Sequence, residues 1–479
     1  MTDLDDKHKN DDDTGYASPT GDAVDGDESR PMDMHVSRPF MDSLSDALEQ
    51  GDGDQIHALV DELHPADLAD VFETLTRTDR RTLLESFGDT VPVDLLQELE
   101  GEAQDEVYEI LSNEQIASVV TELDTDDAVY VLEELQDDDR EEVLSSLATD
   151  DRIALEESLS YPEDSAGRLM QRDLMAMPEF WHVGQAIDYL RKISDEVIED
   201  FYDIFVVDPA HHPVGTIPVS RLLRSGRDAS LGDIMNADPH LVEVLSDQED
   251  VAYQFRKYHL ISAGVIDASR RLVGVVTVDD VVEVIEEEAE EDILALAGVG
   301  DLSMNESVRD ITRTRFSWLF VNLLTAILAS GVIAMFDTTI EEMVALAVLM
   351  PIVASMGGNA GTQTMTVAVR SLATKELGPT NAARMVGREF RVAALNGIAL
   401  AIISGAVAWW WFESPMLGGI FAIALVFNMM VAGLSGILIP MGLSKAGVDP
   451  AIASSVFVTT ITDVFGFFAF LGLAAALML

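Results

Sequence analysis

The 479-residue chain contains no cysteine. Disulfides, zinc–thiolate centres and cysteine nucleophiles are therefore excluded. Bases are scarce as well: 29 Lys and Arg stand against 86 Asp and Glu, a formal net charge of -57. Such a surface repels phosphate, so nucleic acid is excluded as a partner. All nine histidines precede residue 260, which leaves the C-terminal part without Ser/His chemistry. The first 30 residues lack an apolar core, and no cleavable signal peptide is expected there. Despite its charge the chain has a positive mean hydropathy, +0.16. The two values coexist because charge is segregated. Residues 1–309 carry 21 bases and 77 acids, whereas residues 310–479 carry eight and nine. An acidic, water-soluble part is thus joined to a nearly neutral, apolar part.

Residues 1–38 are polar, acidic and rich in Gly, Ser and Pro, a composition that cannot bury enough apolar surface to order itself. From Phe40 to about Tyr161 the spacing is helical, as in Leu68, Val71, Phe72 and Leu75. The stretch 67–87 repeats at an offset of 60 as 127–147. Short helices recurring between Pro and Asp caps predict an α-solenoid or superhelical bundle over 39–163, either a scaffold or a regulatory domain. From about Ser165 the pattern becomes mixed α and β and repeats again. Residues 204–223 align at an offset of 59 with the run from Ala263, matching Asp208 with Asp267 and Gly215 with Gly274. Upstream, Asp173-Leu174-Met175 is matched with Asp233-Ile234-Met235. Each copy reads strand, turn, strand, helix, and the pair resembles tandem cystathionine-β-synthase (CBS) modules, here 164–228 and 229–285. That resemblance implies an adenine nucleotide, such as ATP, with ribose contacts at Thr277 and Asp280. In the first copy Pro218 stands in the Thr position.

Five uncharged or nearly uncharged stretches follow: Phe316–Phe336, Met343–Val369, Val392–Phe412, Ser414–Ser444 (span 418–441) and Pro450–Leu479 (span 451–477). Each reaches the ~20 residues that cross a bilayer. Arg309, Arg313 and Arg315 precede the first, five bases lie between the second and third, and Lys445 lies between the fourth and fifth. The two alternate loops hold only acids. The acidic part is therefore expected in the cytoplasm and the C-terminus outside the cell membrane.

Asp463 is the one ionisable residue inside these stretches. A carboxylate at that depth costs several kcal/mol unless it meets a polar cavity or a cation. No membrane Lys, Arg or His is available, which leaves water, a passing cation, or a protonated carboxyl bonded between helices. Thr459, Thr460 and Thr462 around it read as packing hydroxyls. The second stretch contains Pro351 and then MGGNAGTQT (356–364), too polar for a lipid-facing helix. Gly357, Gly358 and Asn359 there suit a water-filled path or a small-residue helix interface. Asn322 and Asn428 fit either purpose. An aspartyl protease needs two membrane carboxylates, so the chain does not read as an enzyme.

The GGNAGTQT run, the Thr462-Asp463-x-x-Gly466-Phe467 sequence, the five spans and the domain order together resemble the MgtE-type magnesium channels and transporters, over roughly residues 40–479. The resemblance implies a multidomain membrane protein: a superhelical N domain, an α/β tandem CBS pair, a connecting plug helix at 286–312 and a five-helix transmembrane domain at 313–479. It implies a homodimer in the lipid bilayer, with a pore built mainly from the second and fifth spans. Two copies of Asp463 would hold Mg2+ through its water shell, with the Thr459 carbonyl at the same site; magnesium sheds water reluctantly and suits such a site. Ser455 stands where some members have a pore asparagine, and Thr362 replaces a second asparagine of the family run. Between Glu286 and Asp292 every residue except Ala289 is acidic. Glu288, Glu291 and Asp292 would share a helix face, where like charges repel. The resemblance assigns them to regulatory magnesium; the alternative is a solvated face in a protein acidic throughout, as suits a cytoplasm at very high salt. Other functional readings are transport of another divalent cation, Co2+ or Mn2+, and a nucleotide-sensing membrane receptor.

Overall fold

The structure is a computed structural model, which describes residues 37–61, 63–88, 91–99, 101–193, 201–298, 308–378 and 380–478. The acidic tail falls almost wholly outside the described residues.

Short helices from α1 (Arg38–Gln50) to α10 (Thr149–Leu159) build the N domain. Polar side chains start them: Asp52 accepts the Gln55 N–H, Thr76 that of Asp79, and Ser112 with Gln115 forms a capping box. Leu44, Phe72, Leu83, Leu95 and Leu132 are fully buried in one continuous core. The 60-residue repeat has a structural cause. Arg80 turns back and donates to the carbonyls of Phe72 (2.6 Å) and Glu73 (2.9 Å). Its counterpart Arg140 donates to those of Leu132 (2.8 Å) and Glu133 (3.3 Å). Each arginine thereby satisfies carbonyls that the end of the preceding helix leaves without partners.

The CBS pair forms two three-stranded sheets. The first is β1 (Ala176–Pro178), β2 (Asp203–Val207) and β3 (Pro213–Pro218); the second is β4 (Leu241–Glu243), β5 (Ser262–Ile266) and β6 (Leu272–Thr277). In each, the first pair is parallel and the second antiparallel. The linkers cross over. Gln171, before the first sheet, bridges Val275 of the second, while Asn236, before the second, bridges Thr216 of the first. Met170 and Met235 fill the space over Gly274 and Gly215, where a Cβ would stand 2.5 and 2.6 Å from sulfur. This corrects the upstream alignment: the counterpart of Met235 is Met170, not Met175. The repeat offset changes along the module because the first copy has extra residues between its helix α11 (Val183–Lys192) and β2 compared with α14 (Gln248–Tyr258) and β5.

Helix α15 (Val278–Ala297) starts at a Thr277–Asp280 capping box and ends at Gly298 in the left-handed conformation (φ 67°). It contains no Gly or Pro, so it runs unbroken through the expected boundary at 285/286. The second CBS module and the connector share one helix.

Five helices among the described residues are long and apolar enough to span a membrane: α16 (Val308–Ala334), α18 (Ala345–Ala373), α19 (Ala382–Phe412), α20 (Pro415–Lys445) and α21 (Pro450–Met478). Half of the most apolar window of α20 is buried, against 6% for α16, so α20 is the core of the bundle and α16 its edge. Close packing depends on small residues. A Cβ on Gly433 would lie 2.5 Å from that of Ala393, and one on Gly436 would lie 2.7 Å from the Gly361 carbonyl. Trp409, Trp410 and Trp411 are exposed at the end of α19 remote from the basic loop, as interfacial anchors are.

Candidate pore and cytoplasmic acid clusters

Ser455, Thr459 and Asp463 follow one another at i, i+4 and i+8 and so share a face of α21. Thr459 is exposed, and Ser455 and Asp463 are half-buried. The single chain therefore leaves a polar stripe open along a spanning helix. Thr462, at the edge of this face nearest Ser455, is fully buried, and its hydroxyl donates to the Thr459 carbonyl at 2.9 Å. That carbonyl, expected as an ion ligand, is engaged within the helix, because a threonine hydroxyl in a helix bonds back to the preceding turn.

Helix α18 carries a second polar face. Ser355, Asn359, Thr362, Gln363 and Thr366 are all exposed, while Gly357, Gly361 and Thr364 face inward. Of the three pore positions expected here, Asn359 lies on the open face and Gly358 is half-buried with nothing within 4 Å of a Cβ. Gly357 differs: it is buried, and a Cβ there would lie 2.2 Å from the Asn428 amide nitrogen. Its part is close packing rather than lining. Gly361 packs against Val458 of α21, bringing the two polar helices together.

A cleft of about 810 Å³ opens between the second CBS module, α15 and the loops of the membrane domain. Glu288, Glu291 and Asp292 line it together with Asp247, Glu249 and Asp449. Glu288 accepts a hydrogen bond from Gln248 Nε2 at 3.0 Å. Burial, then neighbouring acids such as Asp247, raises the Glu288 carboxyl above its ordinary value. Burial and then Asp449 do the same for Asp292. Sequence spacing placed the α15 triad on one face; it gave no sign of Asp449, which arrives from the loop before α21.

A second acid cluster went unseen in the sequence. Asp126 and Asp127, on α8 (Thr125–Glu134) of the N domain, meet Asp280 of α15. Both oxygens of Asp126 are buried without a hydrogen-bond partner among the described residues. Burial, then Asp280 and Asp124, pushes Asp127 up to about 8. No three His, Asp or Glu side chains among the described residues stand close enough to hold a metal ion. The clusters concentrate charge without forming a finished site in the single chain.

These acids predict a pH effect. The folded value of Asp127 lies above the ~3.9 of an unfolded chain, so the docked arrangement takes up protons. Stability from this group is greatest below about pH 4, declines as pH rises toward about 8 and then levels off. In chelator, the protection of α8 amides, taken relative to their intrinsic exchange rates, should therefore be lower at pH 9 than at pH 6. Magnesium should remove the difference, whereas protection independent of pH in chelator would contradict the burial of these carboxyls.

Thr277 and Asp280, the expected ribose contacts, also form the cap of α15. Thr277 Oγ1 donates to Asp280 Oδ2 at 2.5 Å, and the Thr277 N–H donates to the same oxygen at 3.3 Å. Both residues are taken up in starting α15, and Asp280 looks toward the N-domain acids. The open cleft between the modules, about 420 Å³, lies at the other copy, beside Tyr202, Asp203, Pro218, Ser220, Asn236 and His240.

Three family models match: "Divalent cation transporter" over residues 350–473, "MgtE intracellular N domain" over 63–164 and "CBS domain" over 231–287. The magnesium transporter MgtE of Bacillus subtilis is 30% identical over 430 residues, covering 90% of this chain and 95% of the relative. That of Thermus thermophilus is 31% identical over 443 residues, covering 91% and 98%. Among solved structures, the cytosolic domain of the Mg2+ channel MgtE in complex with ATP is 29% identical, covers 51% of this chain and 99% of that one, and has a TM-score of 0.48. With identity of this level spread over nearly the whole length of these relatives, the chain belongs to the MgtE family.

Proposed function

We propose that the chain carries magnesium across the cytoplasmic membrane as a homodimer, through a pore whose selective group is Asp463. The observation that carries this reading is the polar stripe of α21. A lone carboxylate sits half-buried in mid-span, with Thr459 and Ser455 on its face and no basic residue within the spans. Polar faces at membrane depth require water or a second copy against them, and α18 and α21 both present one. Two carboxylates acting through bound water suit an ion that dehydrates reluctantly. Relatives covering nearly the whole chain bear the name magnesium transporter, which favours this ion over Co2+ or Mn2+.

The cytoplasmic clusters supply a sensor. Acids from the N domain, α15, the second CBS module and the loop before α21 crowd together, and burial raises the proton affinity of Asp127, Glu249, Glu288 and Asp292. Cytosolic magnesium would neutralise them and hold the domains packed, closing the pore; low magnesium would let them separate. Nucleotide binding, with ATP as the expected ligand, is proposed for the 420 Å³ cleft at Pro218 and Ser220, whose volume falls in the range of small-molecule sites.

Uptake by cells that lack their own magnesium systems tests the reading. The wild-type chain should restore growth at low magnesium. Gly358→Leu should insert normally yet reduce uptake by about tenfold or more, because an apolar side chain beside Asn359 dewets the path. Normal uptake by that variant would turn this face of α18 toward lipid.

A further inference from the structure

Asn428 sits in the middle of α20 and is fully buried. Its Nδ2 donates to the Val353 carbonyl of α18 at 2.9 Å, and its Oδ1 is buried without a partner among the described residues. Two glycines make room for it. A Cβ on Gly357 of α18 would come within 2.2 Å of the amide nitrogen, and one on Gly466 of α21 within 2.6 Å. The amide thus fills a slot at which the three helices meet. Gly466 lies three residues beyond Asp463, and Gly357 two before Asn359, so the slot is within one turn of each of these residues.

Filling space does not require an amide. Leucine has the same branched outline, although it is larger, and would not leave a buried oxygen without a partner. An amide adds direction, since its hydrogen bond forms at one height of α18 against α20, and polar groups of this kind can specify the arrangement of packed helices. We propose that Asn428 is a positioning residue that fixes α18 and α21 against α20, and so sets how Asn359 and Asp463 are placed along the pore. It does not meet the ion. The inference rests on the pore reading above.

The test uses the full-length protein in liposomes, with Asp463→Asn and Asn428→Leu compared to wild type. Magnesium KM, maximal flux, the preference for Mg2+ over Ca2+ and thermal stability are measured. Asn428→Leu should insert and keep its thermal stability. Its magnesium KM should rise about tenfold and its preference over Ca2+ fall by about as much, the scale of one buried hydrogen bond. A residue that only packs would leave both unchanged. Should leucine prevent folding, Asn428→Ala with Gly466→Ala refills the slot with methyl groups, and the same readouts apply. Wild-type KM and selectivity in whichever variant folds would overturn the proposal. Wild-type uptake by Asp463→Asn would instead overturn the pore reading and Asn428 with it. An inactive Asp463→Asn beside an unaltered Asn428→Leu would remove the positioning inference alone.

Discussion

Asp463→Asn is expected to abolish magnesium transport while leaving insertion and assembly intact. The amide keeps the shape of the carboxylate and removes the charge. A unit charge about 5 Å from a divalent ion, one water away, interacts by about 7 kcal/mol at an effective dielectric constant of about 20. Desolvation can offset more than half of that. A remainder of about 3 kcal/mol is still about a hundredfold in occupancy. No basic residue lies within the spans to compensate. Asp463→Glu keeps the charge but lengthens the side chain by one methylene, so partial transport at best is expected. Wild-type flux in Asp463→Asn would show that the ion does not pass this carboxylate.

The second large effect concerns gating. Replacing Glu288 and Glu291 by Gln and Asp292 by Asn removes three negative charges from one wall of the 810 Å³ cleft. Asp164, Asp247, Glu249 and Asp449 remain, but Arg256, Arg370 and Lys375 line the same cleft, so its formal charge falls from about -4 to about -1. Inhibition of flux by internal magnesium should weaken, its midpoint moving about tenfold upward, a coupling change of ordinary size. The measurement is made at fixed high potassium chloride, so that general screening is constant. An unchanged midpoint would mean a solvated acidic face with no sensing part. A channel that stays shut at every magnesium concentration would mean that repulsion among these acids is what opens it.

Much of this architecture is legible along the chain because its causes are local. Caps such as Ser112–Gln115 start helices, and long uncharged runs become spans. The 60-residue repeat shows through because Arg80 and Arg140 each serve the helix just before it. Asp463 stands out because a charge at membrane depth is costly wherever the helices go. What escaped depends on distant partners. Met170 looks like part of a linker until its sulfur is found over Gly274 of the other module. Thr277 and Asp280 fit a ribose-binding pattern, and the same spacing also makes the capping box at the start of α15. Gly357 suits a water-filled path or a helix interface until Asn428 is seen in the space its side chain would need. Asp126 is one acid among many in the sequence; only folding buries it beside Asp280.

The most direct test of the account is magnesium flux into liposomes that contain only the purified wild-type chain and a trapped magnesium indicator. The account predicts influx that saturates with external magnesium and slows as internal magnesium is raised. Influx no faster than into empty liposomes, at low internal magnesium, would contradict it.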